Sequence, residues 1–342
     1  YTCCPPPPPS PPTPPAAPSI GFPSIPLRNG VQLPAVLLGA GGSTWMDEGR
    51  TGAMVYDALF AGFPGVDTAN HYRNGKGIAL AISDARTNGF AGQVWLQTKI
   101  EGCGNSVDPR SKILRDSCYE DTRTVFDATL RELDVDRIDL TLLHAPPCVP
   151  GTDWNQGCGG PAPQDAVYPH LCDCSAPEPC EMIQQQWRAL EEMYAAGRTR
   201  AIGVSNYCSA CLDCISKVAT VAPHVNQLYF HAGMGGADPA GLVSYTRRMG
   251  AAVQAYRPLA QGQLLHDDTV ERIAWDHGKS AAQVAMRWVF QQGHGLVTTT
   301  ENKAHMTGNL DIFDWTLTAS EMEDLNDLHG HPDNIVGTLC VL

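Results

Sequence analysis

The chain has 342 residues, 43% of them hydrophobic and 17% charged, with a formal net charge of −13. That length and apolar content supply a sizeable core. The acidic balance sets the surface against phosphate backbones, so nucleic-acid partners are not expected, and no uninterrupted run of about eighteen apolar residues announces a membrane-spanning helix.

Residues 1–19 form a proline-rich tail, with ten prolines among the sixteen residues from Cys3 to Pro18. Proline locks φ and removes the amide donor, so the tail reads as a semi-rigid polyproline II rod. Proline runs broken by serine are similar to the stalks of plant and algal wall glycoproteins. Cys3 and Cys4 beside the rod offer a tether to a second copy or to fibre and wall glycoproteins. Residues 20–342 read as one folded unit.

That unit opens with Ile25-Pro26-Leu27-Arg28, Asn29-Gly30 and Val31-Gln32-Leu33. Asn-Gly between apolar residues is a strong hairpin signal. Eight short apolar runs follow: 36–38, 66–67, 94–98, 138–143, 201–204, 225–228, 252–255 and 296–298. Amphipathic segments of helical length separate them, among them 123–133, 182–194, 269–277 and 280–292. This alternation predicts an α/β fold, a (β/α)₈ TIM barrel with an N-terminal β-hairpin.

Residues 146–180 break the rhythm as a long loop rich in Gly, Pro and Cys after the fourth strand. The chain holds 13 cysteines, eight of them between Cys148 and Cys214. Such clustering fits an oxidising compartment, so a secreted or extracellular location is expected, with a cytoplasmic one as the alternative. The loop is expected to be stapled by disulfides of undetermined pairing. Cys208, Cys211 and Cys214, three apart on one helix, are expected to reach that loop rather than hold zinc, and no metal centre is predicted.

Polar residues recur at the carboxyl ends of the apolar runs: Asp67, Lys99, His144, Ser205 with Asn206, Gln227, Tyr256, and Thr299 with Thr300. In a parallel barrel these positions share one rim, where active sites are built.

The stretches Gly62-Phe63-Pro64-Gly65-Val66-Asp67-Thr68-Ala69-Asn70-His71-Tyr72, Leu96-Gln97-Thr98-Lys99, Asp136-Arg137-Ile138-Asp139-Leu140-Thr141-Leu142-Leu143-His144, Ala201-Ile202-Gly203-Val204-Ser205-Asn206-Tyr207 and Val225-Asn226-Gln227 come in order and in register. This series resembles the aldo-keto reductase family from about residue 25 to 328. The proline tail and the Cys-rich loop stand outside the family pattern.

The chemistry of the four matching residues is coherent. Reducing a carbonyl requires a hydride on carbon and a proton on oxygen. A tyrosine with a pKa near 10 is a poor acid at neutral pH. Lys99 is expected to lower the Tyr72 pKa, Asp67 to hold that lysine, and His144 to donate a hydrogen bond to the substrate oxygen.

No Gly-x-Gly-x-x-Gly fingerprint follows a strand. The resemblance instead implies a nicotinamide dinucleotide extended across the rim. Ser205, Asn206 and Gln227 would take its carboxamide, Tyr256 would stack on the ring, and Leu259 and Gln261 would line the pyrophosphate path, where Arg257 also falls. Asn309 corresponds to the family's adenine-binding Asn. Thr299 and His305 fall where NADP-preferring members carry Lys and Arg, and Glu301 adds negative charge, so the 2′-phosphate clamp looks weak and either NADP or NAD remains open. The expected activity is reduction of a small carbonyl substrate. The alternative is a secreted structural module of a fibre, wall or sheath that reuses the barrel.

Overall fold

The computed structural model describes residues 23–41, 47–104, 113–114, 116–147, 174 and 176–329. The proline-rich tail with Cys3 and Cys4, most of the Cys-rich loop and the C-terminal tail with Cys340 lie outside the described residues.

The predicted hairpin is present. Strands β1 (Ser24–Pro26) and β2 (Gln32–Pro34) pair antiparallel with Ile25 opposite Leu33. Gly30 takes φ +83° at the turn, a conformation an L side chain rarely adopts, and Asn29 Oδ1 accepts from the Val31 amide at 3.2 Å. Leu27, Val31 and Leu33 pack with Leu37, Leu140 and Leu142 in one buried cluster, so the hairpin closes the amino-terminal end of the barrel.

Eight strands form a closed parallel barrel: β3 (Val36–Gly39), β4 (Gly65–Asp67), β5 (Trp95–Ile100), β6 (Leu140–Leu143), β7 (Ile202–Ser205), β8 (Val225–Tyr229), β9 (Ala252–Tyr256) and β10 (Gly295–Thr298). The ring shuts where Leu296 of β10 pairs with Val36 of β3. The helices are α1 (Glu48–Ala61), α2 (Gly75–Thr87), α3 (Cys118–Leu133), α4 (Pro177–Ala195), α5 (Ser209–Ser216), α6 (Leu242–Arg248), α7 (Asp268–His277), α8 (Ala281–Gln291), α9 (Lys303–Leu310) and α10 (Ala319–Asn326). Their apolar faces, such as Val125, Phe126, Leu130 and Leu133 of α3, are buried in the main core. Among the described residues no helix is long and apolar enough to cross a membrane.

The (β/α)₈ reading therefore holds, with local corrections. Strand β5 runs to Ile100, which places Lys99 inside it. Ile138 makes an isolated bridge to Thr199 ahead of β6. The end of the expected loop is helical: α4 starts at Pro177, because proline suits a first helical turn that lacks amide acceptors, and Glu178 complements the positive helix end.

Three disulfides join described cysteines. Cys174–Cys211 and Cys180–Cys214 tie the end of the inserted loop and the first turn of α4 to α5, so two of the three cysteines spaced along α5 staple as expected. Cys103–Cys118 pins the segment after β5 to the start of α3. A disulfide of this kind typically adds roughly 2–4 kcal/mol by restricting the unfolded chain.

Candidate active site

The carboxyl ends of the strands bring the predicted residues to one rim. Asp67, the last residue of β4, is buried, and its Oδ2 accepts from Lys99 Nζ of β5 at 2.6 Å. Lys99 Nζ also donates to the Thr68 carbonyl at 3.0 Å. Asp67 Oδ1 accepts from Gln97 Nε2 at 2.6 Å and Gln227 Nε2 at 3.2 Å, and both amides also donate to Gln254 Oε1. A buried ion pair survives only when its remaining lone pairs and protons are satisfied, and this layer of inward-facing glutamines satisfies them. Gln97 and Gln254 were missed by sequence reasoning. Their signal was a polar residue inside each apolar run.

Tyr72 sits in a 3-10 turn, Asn70–Tyr72, directly after β4. Its ring lies 5.5 Å from Lys99 Nζ, measured to the centroid, and edge-on to His71 and His144. The expected lowering of its pKa does not occur. Burial raises the phenol above its usual value, the charges of Asp67 and Glu101 raise it further, and Arg257 opposes them. The ammonium of Lys99 is engaged by Asp67, so the resting residue is a neutral phenol, the proton-bearing form. Space for it comes from Gly41, where an added Cβ would lie 3.1 Å from two carbons of the Tyr72 ring.

His144 follows β6 and is buried. Its Nδ1 lies 2.6 Å from Oε1 of Glu101, the residue after β5, and His71 Nδ1 lies 2.5 Å from the same oxygen. Glu101 is held well below the usual carboxylate range; burial works against this and the two imidazoles outweigh it. The His144 pKa is lowered, chiefly by burial, with Glu101 opposing. A neutral His144 therefore keeps its proton on Nδ1 and leaves Nε2 as an acceptor; only its imidazolium donates from Nε2. The donor role expected for His144 thus depends on Glu101. Neither Glu101 nor His71 was singled out from the sequence, although Glu101 follows Lys99 at the two-residue spacing that keeps side chains on one face of a strand.

The cofactor positions gather at the neighbouring strand ends. Asn206, at φ +61°, donates to the His144 carbonyl at 3.0 Å and to Ser205 Oγ at 3.1 Å, and accepts from the Tyr256 hydroxyl at 2.8 Å. Gln227 holds its amide nitrogen against Asp67 Oδ1 and Gln254 Oε1 in the barrel. After β9, Arg257, Ala260 and Gln261 all take positive φ, and Gly262 follows at +94°. Left-handed non-glycine residues cost of order 1–3 kcal/mol each and cluster at ligand sites; Leu259 and Gln261 lie in this segment.

At the far end, Thr299 Oγ1 donates to the Gly39 carbonyl at 3.0 Å, Thr300 Oγ1 caps the Asn302 amide, and Asn309 is buried beside Thr298. His305 is exposed on the first turn of α9. Lys303 turns outward to Asp57. Glu301 does not present a bare negative charge: Arg50 of α1 pairs with both of its oxygens at 2.8 and 2.9 Å.

Comparison with known proteins agrees with this geometry. The aldo/keto reductase family model matches residues 36–329. Glyoxal reductase of Bacillus subtilis is 31% identical over 313 residues, covering 90% of this chain and 92% of its own. NADPH-dependent codeinone reductase 1-1 of Papaver somniferum is 29% identical, covering 91% and 90%. An aldo/keto reductase of Brucella melitensis superposes with a TM-score of 0.67 at 27% identity, covering 89% of this chain and 98% of its own. Bombyx mori aldo-keto reductase in complex with NADP shares the fold with a TM-score of 0.70 at 24% identity, covering 92% and 94%. A closed parallel barrel carrying Asp67, Tyr72, Lys99 and His144 on one rim, matched by the family model along most of its length, makes this chain a member of the aldo/keto reductase family.

Proposed function

We propose that this protein reduces a small aldehyde or ketone to an alcohol with NADPH, and accepts NADH with only modestly weaker affinity. The observation that carries this reading is Tyr72, protonated at the rim between His144 and a lysine neutralised by Asp67. The names of the relatives, a glyoxal reductase and NADPH-dependent codeinone reductases, support the same class of reaction.

The rim residues suit a nicotinamide dinucleotide: Asn206 is pre-set by three hydrogen bonds, Gly41 leaves room for the Tyr72 ring, and the backbone after β9 turns left-handed at Arg257, Ala260 and Gln261. When bound, a reduced nicotinamide supplies the hydride. Ser205, Asn206 and Gln227 would hold its carboxamide, Tyr256 would pack on the ring, and Arg257, Leu259 and Gln261 would border the pyrophosphate. Tyr72 gives its proton to the forming alkoxide. Lys99 limits the cost of the resulting phenolate, and His144, oriented through Nδ1 by Glu101, turns Nε2 to the carbonyl oxygen, to which it donates when protonated there. Arg50 offsets Glu301 near the 2′-phosphate position, which argues for NADPH, while the neutral Thr299 keeps the preference small.

The three disulfides support residence in an oxidising compartment. The test is NADPH oxidation with a panel of small aldehydes and dicarbonyls, alongside tryptophan quenching by NADPH and NADH. Turnover that falls by roughly 100-fold or more in Tyr72→Phe, with cofactor quenching retained, supports the reading. A folded wild-type protein that neither binds a dinucleotide nor turns over any carbonyl sinks it in favour of a structural module.

A further inference from the structure

His71 and Glu101 form a cluster with His144, one of the four family positions. They come from the 3-10 turn after β4 and from the residues directly after β5 and β6, three adjacent strand ends. Both Nδ1 atoms point at one oxygen, Glu101 Oε1, at 2.5 and 2.6 Å, and the two rings lie 4.8 Å apart between centroids. The three ligand atoms all fall within 4.8 Å of one another. The carboxylate side chain is only 4% exposed, and those of the histidines 17% and 10%.

A buried carboxylate is costly unless an opposite charge meets it. Lys99 is engaged by Asp67, and in this cluster two imidazole nitrogens converge on one oxygen of the buried Glu101 carboxylate. Two imidazoles and a carboxylate are the nitrogen and oxygen donor set that a divalent cation takes. Tetrahedral zinc with ligands at about 2.0–2.1 Å sets donor atoms about 3.3 Å apart. The two nitrogen-to-oxygen separations, 2.5 and 2.6 Å, need widen by less than about 1 Å to reach it.

We propose that His71 Nδ1, Glu101 Oε1 and His144 Nδ1 form a binding site for a divalent transition cation of the zinc class. Three protein ligands and one open position is the arrangement of catalytic rather than structural zinc. The imidazole proton of a metal-bound His144 resides on Nε2. On the reductase reading, the cation thereby leaves His144 a hydrogen-bond donor to the carbonyl oxygen without imidazolium formation.

The test is titration of the full, oxidised, EDTA-treated chain with Co²⁺, without nicotinamide, read by visible spectroscopy, with Zn²⁺ competition measured by calorimetry. The expected result is one equivalent bound, with d–d bands and no thiolate-to-cobalt charge-transfer band, and affinity weakened about tenfold or more in both Glu101→Gln and His71→Ala. No saturable binding, a thiolate band assigning the ion to the cysteines, or variants that bind like the wild type would overturn the proposal. Should either variant fail to fold, X-ray absorption of the zinc-loaded wild type decides it: a nitrogen and oxygen shell supports the site, and a sulfur shell rejects it. Because the readout needs no cofactor or substrate, its failure leaves the reductase reading standing, and loss of turnover leaves the cation site standing.

Discussion

Glu101 Oε1 lies 2.6 Å from His144 Nδ1, so the carboxylate occupies that nitrogen and leaves Nε2 for the proposed substrate. The carboxylate favours a proton on Nδ1 and supports a second proton on Nε2. In Glu101→Gln the charge is gone while a carbonyl oxygen can still accept from Nδ1, so the ring stays oriented but its imidazolium is no longer stabilised. The expected outcome, in EDTA-containing buffer, is a fall in kcat for carbonyl reduction of roughly tenfold or more, with dinucleotide affinity within about twofold. Unchanged kcat would show that Glu101 does not act through His144.

Asp67 carries both the buried charge opposite Lys99 and the acceptor for two glutamine amides. Asp67→Asn leaves a buried ammonium without its counter-ion. Breaking one half of a buried pair costs about 3–5 kcal/mol. Chemical denaturation is expected to show a loss of that size, and turnover is expected to fall as well. A double variant, Asp67→Asn with Lys99→Met, removes the stranded charge and should recover part of the stability without recovering activity. Failure to recover any would place the loss in the glutamine layer instead.

Gly41 has no side chain where Tyr72 needs the room. An added Cβ would lie 3.1 Å from the ring and 3.2 Å from the hydroxyl oxygen. Gly41→Ala should push the phenol from its working position by a few tenths of an ångström, and misplacement near reacting atoms is costly in rate. A decline in kcat of about tenfold, with a thermal midpoint within about 2 °C of wild type, is expected. Kinetics identical to wild type would mean that Tyr72 tolerates the shift.

His294 provides a pH test away from the rim. It is 1% exposed, its ring packs edge-on against Phe230, and among the described residues neither ring nitrogen has a hydrogen-bond partner. Burial lowers its pKa to about 3, with Arg247 adding to the shift. In the unfolded chain a histidine titrates near 6.5. Between those values the unfolded state binds a proton that the folded state refuses, so stability falls as pH drops from about 6.5 towards 3 and is unaffected by this group above 6.5. Replacing it in His294→Leu should flatten the decline of the melting temperature between pH 6.5 and 4. A residual slope is expected from His224, also lowered by burial, to about 4. Parallel curves for variant and wild type would remove His294 from the account.

The barrel was legible from residues 36 to 298 because period and spacing are local properties. Short apolar runs of two to six residues, helical stripes between them and an Asn-Gly turn each declare themselves within a short window. The same holds for the polar residues ending the runs, which is why Asp67, Lys99, His144 and Asn206 were placed on one rim in advance, and why cysteines spaced along α5 were expected to reach the loop. The pairing Cys174–Cys211 and Cys180–Cys214 was not legible, since many pairings satisfy the same spacing. Nor were the contacts that tune the chemistry. Glu101 meets His144 across 43 residues, Gln227 meets Asp67 across 160, and Arg50 meets Glu301 across 251. Such contacts depend on the stagger with which eight strands close and on how burial reweights each charge, and both exist only once the ring is shut. The direction of the Tyr72 pKa is the sharpest case. The family resemblance set the Lys99 ammonium beside the phenol and argued for a lowered value, and the folded site raises it, because burial and two carboxylates act on the phenol while Lys99 is held by Asp67.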